Sequence, residues 1–162
     1  MSFLKHNSYK EIPKDCEYIT FGMGCFWGAE KRFWEVKGLK TTVVGYSGGQ
    51  TNNPTYEKVC SGQTGHAEVV RVILDKKNFS WDELFQVFWE SHDPTQLNRQ
   101  GNDIGTQYRS EIFYLNPEQK KIAEKVLKET NEKLSGKVVT KISLLKNYCP
   151  AEEYHQKYLE KR

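Results

Sequence analysis

Glu17-Tyr18-Ile19-Thr20-Phe21-Gly22-Met23-Gly24-Cys25-Phe26-Trp27-Gly28-Ala29 is the stretch on which the fold turns. Glu17 to Phe21 is dense in aromatic and β-branched residues and stops at Gly22. From there Phe26, Ala29, Phe33 and Val36 recur at the spacing of one helical face until Gly38 supplies a stop. The reading is strand, tight turn, helix, with Cys25 in the turn. Gly22 and Gly24 before the cysteine and Gly28 after it permit a sharp bend and close approach of a ligand. A thiol at the first turn of a helix faces unpaired backbone N–H groups and the positive end of the helix dipole, which favours the reactive thiolate. Free cysteines are more often inert core residues, but the glycines and the helix start point to a nucleophile here. Phe26 continues the core stripe. Trp27 lies off it, and so is placed to form an aromatic wall beside the thiol for a small apolar group such as a methyl on sulfur.

Working outward, Thr41-Thr42-Val43-Val44 and Glu68-Val69-Val70-Arg71-Val72-Ile73-Leu74 read as strands flanking a turn-rich loop, Ser47-Gly48-Gly49-Gln50-Thr51-Asn52-Asn53-Pro54. Ser80-Trp81-Asp82-Glu83 is a capping box, followed by Trp81, Leu84, Phe85 and Phe88 on one helical face. A polar segment from His92 to Tyr108 leads to a strand over Ile112-Phe113-Tyr114-Leu115. Asn116-Pro117 then opens a long charged helix that stops near Gly136, and Val138-Val139-Thr140-Lys141-Ile142 reads as the last strand. The order β-α-β-β-α-β, then helix and strand, implies an α+β fold. It is a two-layer α/β sandwich with a split βαβ, ferredoxin-like core and a mixed sheet.

The 162 residues, 37% hydrophobic and 13% aromatic, suit one domain, with residues 1–15 as a flexible N-terminal extension. A formal net charge of +3, with scattered basic residues, gives no stripe for nucleic acid. No stretch reads as a signal peptide, transit peptide or membrane span, so a soluble, cytoplasmic and monomeric protein is expected. Cys16, Cys25, Cys60 and Cys149 lack any Cys-x-x-Cys, and His6, His66, His92 and His155 are dispersed. Neither a disulfide framework nor a metal site is suggested.

Further blocks accompany Gly24-Cys25-Phe26-Trp27-Gly28. They are Gly45-Tyr46-Ser47-Gly48-Gly49, Asn53-Pro54-Thr55-Tyr56, Val59-Cys60-Ser61-Gly62, Thr64-Gly65-His66-Ala67-Glu68, His92-Asp93-Pro94-Thr95-Gln96, Arg99-Gln100-Gly101-Asn102-Asp103, Gly105-Thr106-Gln107-Tyr108-Arg109-Ser110 and Ala151-Glu152-Glu153-Tyr154-His155-Gln156. From about Phe21 to Leu159 the sequence resembles the A-type peptide methionine sulfoxide reductases. The resemblance implies that Cys25 is the nucleophile, that Phe26 and Trp27 hold the substrate methyl, and that Glu68 is the carboxylate beside the sulfoxide oxygen. It further implies that Tyr56 and Tyr108 are phenols bonding that oxygen and that Asp103 is another active-site carboxylate. The implied reaction reduces the S epimer of methionine sulfoxide, free or in oxidised peptides and proteins, and leaves Cys25 as a sulfenic acid. His66 and His155 are expected to make structural hydrogen bonds.

No bound cofactor is implied. Many relatives carry further cysteines in a glycine-rich C-terminal tail that resolve the sulfenic acid, whereas this sequence ends at Arg162 without one and has Gly28 where some place a second cysteine. Cys149, in Tyr148-Cys149-Pro150, is the internal candidate for resolution. Cys16 lies just before the first strand, at its far end from Cys25, and Cys60 is not the usual partner. The other route is direct reduction by thioredoxin, glutaredoxin or a small thiol. A thiol peroxidase or redox sensor, and a module that only binds oxidised-methionine segments, are the competing functional classes. The first needs no methyl pocket, and the second needs no intact set of Cys25, Glu68, Tyr56 and Tyr108.

Overall fold

Strand β1 spans Cys16–Met23 and helix α1 Phe26–Arg32, so the strand, turn and helix around Cys25 form as the residue pattern dictates. A computed structural model describes residues 14–161, and the N-terminal extension expected over 1–15 lies outside them except for the turn at Lys14 and Asp15. The chain continues through β2 (Leu39–Ser47), α2 (Tyr56–Cys60), β3 (Ala67–Asp75), α3 (Trp81–Glu90), β4 (Arg99–Gln100), β5 (Asp103–Ile104) and β6 (Ser110–Tyr114). It ends with α4 (Pro117–Lys133), β7 (Lys141–Leu144), β8 (Cys149–Pro150) and α5 (Tyr158–Lys161).

Six strands form one sheet in the order β7-β6-β1-β3-β2-β8, and β4 pairs with β5 in a separate hairpin. Every pairing in the large sheet is antiparallel except β6 with β7, which makes it mixed. Because β3 lies between β1 and β2, the unit β1-α1-β2 is a split βαβ, as the element order implied. Ile19, Phe21 and Met23 alternate onto the face covered by Phe26, Ala29 and Phe33 of α1, Leu84, Phe85 and Phe88 of α3, and Ala123 of α4. On the other face, Tyr18 and Tyr148 cover Val43 and Ile73, and the Arg71 guanidinium sits 4.5 Å and 3.8 Å from their ring centroids.

Element boundaries differ from the sequence reading. Helix α1 stops at Arg32, where Phe33 and Val36 switch to tight turns (Phe33 N–H to Glu30 O, 3.2 Å; Val36 N–H to Phe33 O, 3.1 Å) while still packing in the core. The last long strand starts at Lys141 rather than Val138, because the Val138 N–H donates to Asn131 Oδ1 (3.0 Å) and the Val139 N–H to Pro94 O (2.8 Å). Helix α2, the β4–β5 hairpin and β8 are elements that the sequence reading did not assign. The loop after β2 is closed by Gly49, where a Cβ would collide with the backbone of Thr64 and His66. His66 holds it from the other side, its Nδ1 accepting from the Gly49 N–H (3.0 Å) and its Nε2 facing Thr51 O (2.7 Å).

The centre of the core is Phe21, stacked on Phe33 (5.4 Å) and Phe88 (4.7 Å) and edge-on to Phe85 (5.7 Å). Phe21→Ala is expected to cost about 3–5 kcal/mol, read as a lower denaturation midpoint at unchanged m-value. A loss below about 1 kcal/mol would show that the aromatic cluster can collapse into the space.

Candidate active site

Cys25 is the N-cap of α1, half-buried, and its side chain makes no capping hydrogen bond. The bend that puts it there needs Gly24, whose φ of +99° belongs to the left-handed region and whose added Cβ would lie 2.9 Å from Gln100 Cγ. Gly28 is different. It is exposed with open space over it, and its N–H, with that of Trp27, favours the charged form of Cys25.

Those two N–H groups were expected to hold Cys25 as thiolate, and they do pull its pKa down. Burial and the negative charge of Glu68 pull harder in the other direction, Asp103 adds to them, and the net result is a pKa raised above that of an ordinary thiol. The resting group is therefore a thiol.

Glu68 is the carboxylate whose charge acts on it. It stands at the start of β3 opposite Tyr46 of β2, is almost wholly buried at 1% exposure, and its Oε1 accepts the Phe26 N–H at 3.1 Å. Its Oε2 has no hydrogen-bond partner among the described residues. Burial pushes its pKa up to about 7, the Phe26 N–H opposes this, and Asp103 adds to it. Tyr56 begins α2 and Tyr108 closes a short turn over Thr106–Tyr108, and both phenols feel the Glu68 charge. Burial and then Glu68 push the Tyr108 pKa up to about 12 and raise that of Tyr56, so both are hydroxyl donors at neutral pH. Asp103 is exposed on β5, and its charge reaches Cys25, Glu68 and Tyr108. Five of the residues expected at the site thus act on one another across four elements and a turn.

Phe26 and Trp27 form an aromatic box beside them. Tyr56 lies 6.3 Å from Phe26 and 6.4 Å from Trp27, and Trp27 stacks on Tyr158 at 3.8 Å. A half-buried thiol, a carboxylate acting on it and two phenols facing the same carboxylate, beside an apolar wall, suit two-electron reduction of a small polar group attached to a hydrophobic one. Among the described residues no group of three His, Cys, Asp or Glu is placed to hold a metal ion.

A family model for peptide methionine sulfoxide reductase matches residues 17–162. The chain belongs to that family. A relative from Pelagibacter ubique, peptide methionine sulfoxide reductase MsrA, is 59% identical over 146 residues, which is 90% of this chain and 99% of that one. The reduced form of Mxr1 from Saccharomyces cerevisiae superimposes with a TM-score of 0.88 at 37% identity, covering 93% of this chain and 87% of that one. Methionine sulfoxide reductase A of Corynebacterium diphtheriae does so with 0.87 at 43% identity, covering 93% and 76%. Mxr1 has also been solved in complex with Trx2, a structure that matches with a TM-score of 0.65 at 26% identity over 90% of this chain and 86% of that one. The protein is accordingly an oxidoreductase that returns methionine sulfoxide to methionine.

The remaining cysteines are placed differently in this reductase. Cys149 pairs with Tyr46 at the sheet edge, its thiol faces Pro150 O at 3.5 Å, and its pKa is raised by burial and then by Glu152. None of the groups that set the Cys25 pKa acts on it. Cys16 begins β1, about 23 Å of strand away from Met23 at about 3.3 Å per residue, and faces the sheet's other side. Exposed Cys60 lies near enough to Tyr56 for each group to act on the other's pKa.

Sequence reasoning missed Glu152, which ties the site together. Its Oε1 accepts from the Tyr46 hydroxyl (2.7 Å) and its Oε2 from the Tyr56 N–H (3.0 Å). Its position in the Ala151-Glu152-Glu153 block was the available signal, since a half-buried carboxylate requires donors.

Proposed function

We propose that Cys25 carries the reaction by attacking the sulfur of the S epimer of methionine sulfoxide, free or in a peptide, with Glu68 moving the proton. The observation that carries this reading is the unpartnered, buried Glu68 Oε2 beside a protonated thiol and two phenols. A sulfoxide is a poor electrophile until its oxygen is protonated or strongly hydrogen-bonded, so attack requires donors at that oxygen. Ionised Glu68 takes the proton from the Cys25 thiol and delivers it to the oxygen, which Tyr56 and Tyr108 hold by donating their hydroxyls. The Cys25 sulfur bonds the substrate sulfur, and the protonated oxygen then passes to Cys25 as the substrate S–O bond and the transient S–S bond break, the S–S electron pair staying on the substrate sulfur. The thiol is oxidised by two electrons to sulfenic acid, the sulfoxide is reduced to the thioether, and no other reactant enters. Phe26 and Trp27 enclose the methyl group, and Asp103 keeps the field at the carboxylate negative. Residues 1–162 act as one catalytic domain, and we assign it to the cytoplasm, where thiol reductants keep a cysteine nucleophile reduced.

Return of Cys25 to the thiol needs an external reductant. We assign this to a dithiol of the thioredoxin class, with glutaredoxin or a small thiol as substitutes. A complex with Trx2 is known for the yeast relative Mxr1. One thiolate of the dithiol attacks the Cys25 sulfur and expels water, and the second releases Cys25 from the mixed disulfide. Cys149 is the internal candidate, and the two routes leave different products. After one turnover without reductant, a sulfenic-acid adduct on Cys25 and normal thioredoxin-driven turnover of Cys149→Ser are expected. A Cys25–Cys149 disulfide in place of the adduct would make Cys149 the resolving thiol.

A further inference from the structure

We propose that His155 is a positioning residue for sulfoxide reduction, holding the Trp27 indole against the substrate methyl through one hydrogen bond and thereby setting how tightly the sulfoxide binds. The inference rests on the reading of Phe26 and Trp27 as the methyl pocket.

The bond runs from Trp27 Nε1 to His155 Nδ1 at 2.8 Å, between residues 128 positions apart. An indole N–H can only donate, so Nδ1 must present its lone pair, and neutral His155 carries its proton on Nε2. That Nε2 is buried and has no partner among the described residues, and the ring as a whole is 0% exposed. A fully enclosed imidazole in a single tautomer is costly to assemble for packing alone. What it does here is take up the polar edge of the pocket's wall. Its ring is fixed in turn by Tyr56 (4.5 Å), Tyr154 (4.0 Å) and Phe26 (5.1 Å).

Trp27 is gripped twice from one segment. His155 accepts its N–H, and Tyr158 covers its face at 3.8 Å with the rings 8° from parallel. That segment is anchored on both sides of His155. Ala151 N–H donates to Val44 O (3.0 Å), and the Gln156 amide bridges Val44 N–H (2.9 Å) and Val44 O (2.8 Å). Lys157 N–H donates to Glu30 Oε1 of α1 (2.9 Å). The anchors join β2 and α1 to the C-terminal turn, so the acceptor stands at a fixed point relative to Cys25. Without it the indole N–H is better satisfied by water, and the ring swings away from the methyl site.

Single-turnover rates of a blocked methionine sulfoxide, taken against its concentration, separate binding from chemistry. His155→Phe keeps a ring of similar size and removes the acceptor. It should raise the half-saturating concentration roughly tenfold, the scale of one lost hydrogen bond, with the plateau rate little changed. His155→Gln restores an acceptor without the ring and should recover most of the affinity. In a Trp27→Phe background, which has no N–H to hold, His155→Phe should add nothing, because the two residues act as one unit. Equal losses in both backgrounds, or a fall in plateau rate at unchanged half-saturation, would overturn the proposal and leave His155 as packing. If Trp27→Phe itself leaves half-saturation unchanged, the pocket reading fails and this inference fails with it. Should His155→Phe not fold, His155→Leu, also without an acceptor, replaces it in the same comparison.

Discussion

Cys25→Ser is expected to form no detectable methionine from methionine sulfoxide, a loss on the order of 10⁴-fold or more, as for other enzymes stripped of their nucleophile. Serine preserves the size and position of the N-cap, and Cys25 makes no capping hydrogen bond whose loss would disturb α1. The thermal midpoint should therefore stay near that of the wild type. What serine lacks is an oxidation ladder, because a hydroxyl oxygen cannot take up the sulfoxide oxygen and two electrons as sulfur does. Wild-type folding with lost turnover is the outcome that separates this role from that of a core cysteine. Methionine formation by a homogeneous Cys25→Ser sample would move the nucleophile elsewhere.

Glu68→Gln is expected to lower kcat/KM by about 10²–10⁴-fold, the usual worth of a positioned acid or base, and to change the shape of the pH profile. On the proposed mechanism the active wild-type pair carries one proton shared between Cys25 and Glu68. Below about 7 the carboxyl is protonated as well as the thiol, and activity falls. Above the raised pKa of Cys25 the last proton leaves, and activity falls again. Glutamine cannot titrate, so the acid limb near neutral pH should vanish, while the amide still donates a hydrogen bond to the sulfoxide oxygen. A limb that persists in Glu68→Gln would belong to another group. Stability tracks the same carboxyl. Its pKa rises from 4.5 to about 7 on folding, so the native state holds the extra proton in that window. Wild-type stability should fall as pH rises across it, and that of Glu68→Gln should not.

Much of this was legible in the residues around Cys25. The β-rich run, the glycines and the helical spacing gave strand, turn and helix, and the order of elements gave the split βαβ sheet. Helix α1 was read too long because Phe33 and Val36 keep their apolar partners after the backbone has left the helix, and periodicity records burial rather than hydrogen bonding. Helix α2 has five residues and β8 has two, too few for any period to register. They exist because Glu152 holds the Tyr56 N–H and because Cys149 pairs with Tyr46.

The state of Cys25 was misjudged for a related reason. A helix start is visible in sequence, but burial and the approach of Glu68, 43 residues on by their numbers, 68 − 25, are products of the fold. The correction matters for the chemistry. In the proposed mechanism it makes Glu68, expected only as the carboxylate beside the sulfoxide oxygen, the group that first takes the thiol's proton.

The central claim is a stoichiometric oxygen transfer to one sulfur, and a single turnover with separated epimers tests it most directly. Reduced protein, mixed with excess S epimer of a blocked methionine sulfoxide and no reductant, should yield one equivalent of methionine per chain. One oxygen should be recovered on Cys25 as its sulfenic-acid adduct, and the R epimer should yield none. A sub-stoichiometric yield, equal reaction of both epimers, or oxygen found on a different residue would contradict it.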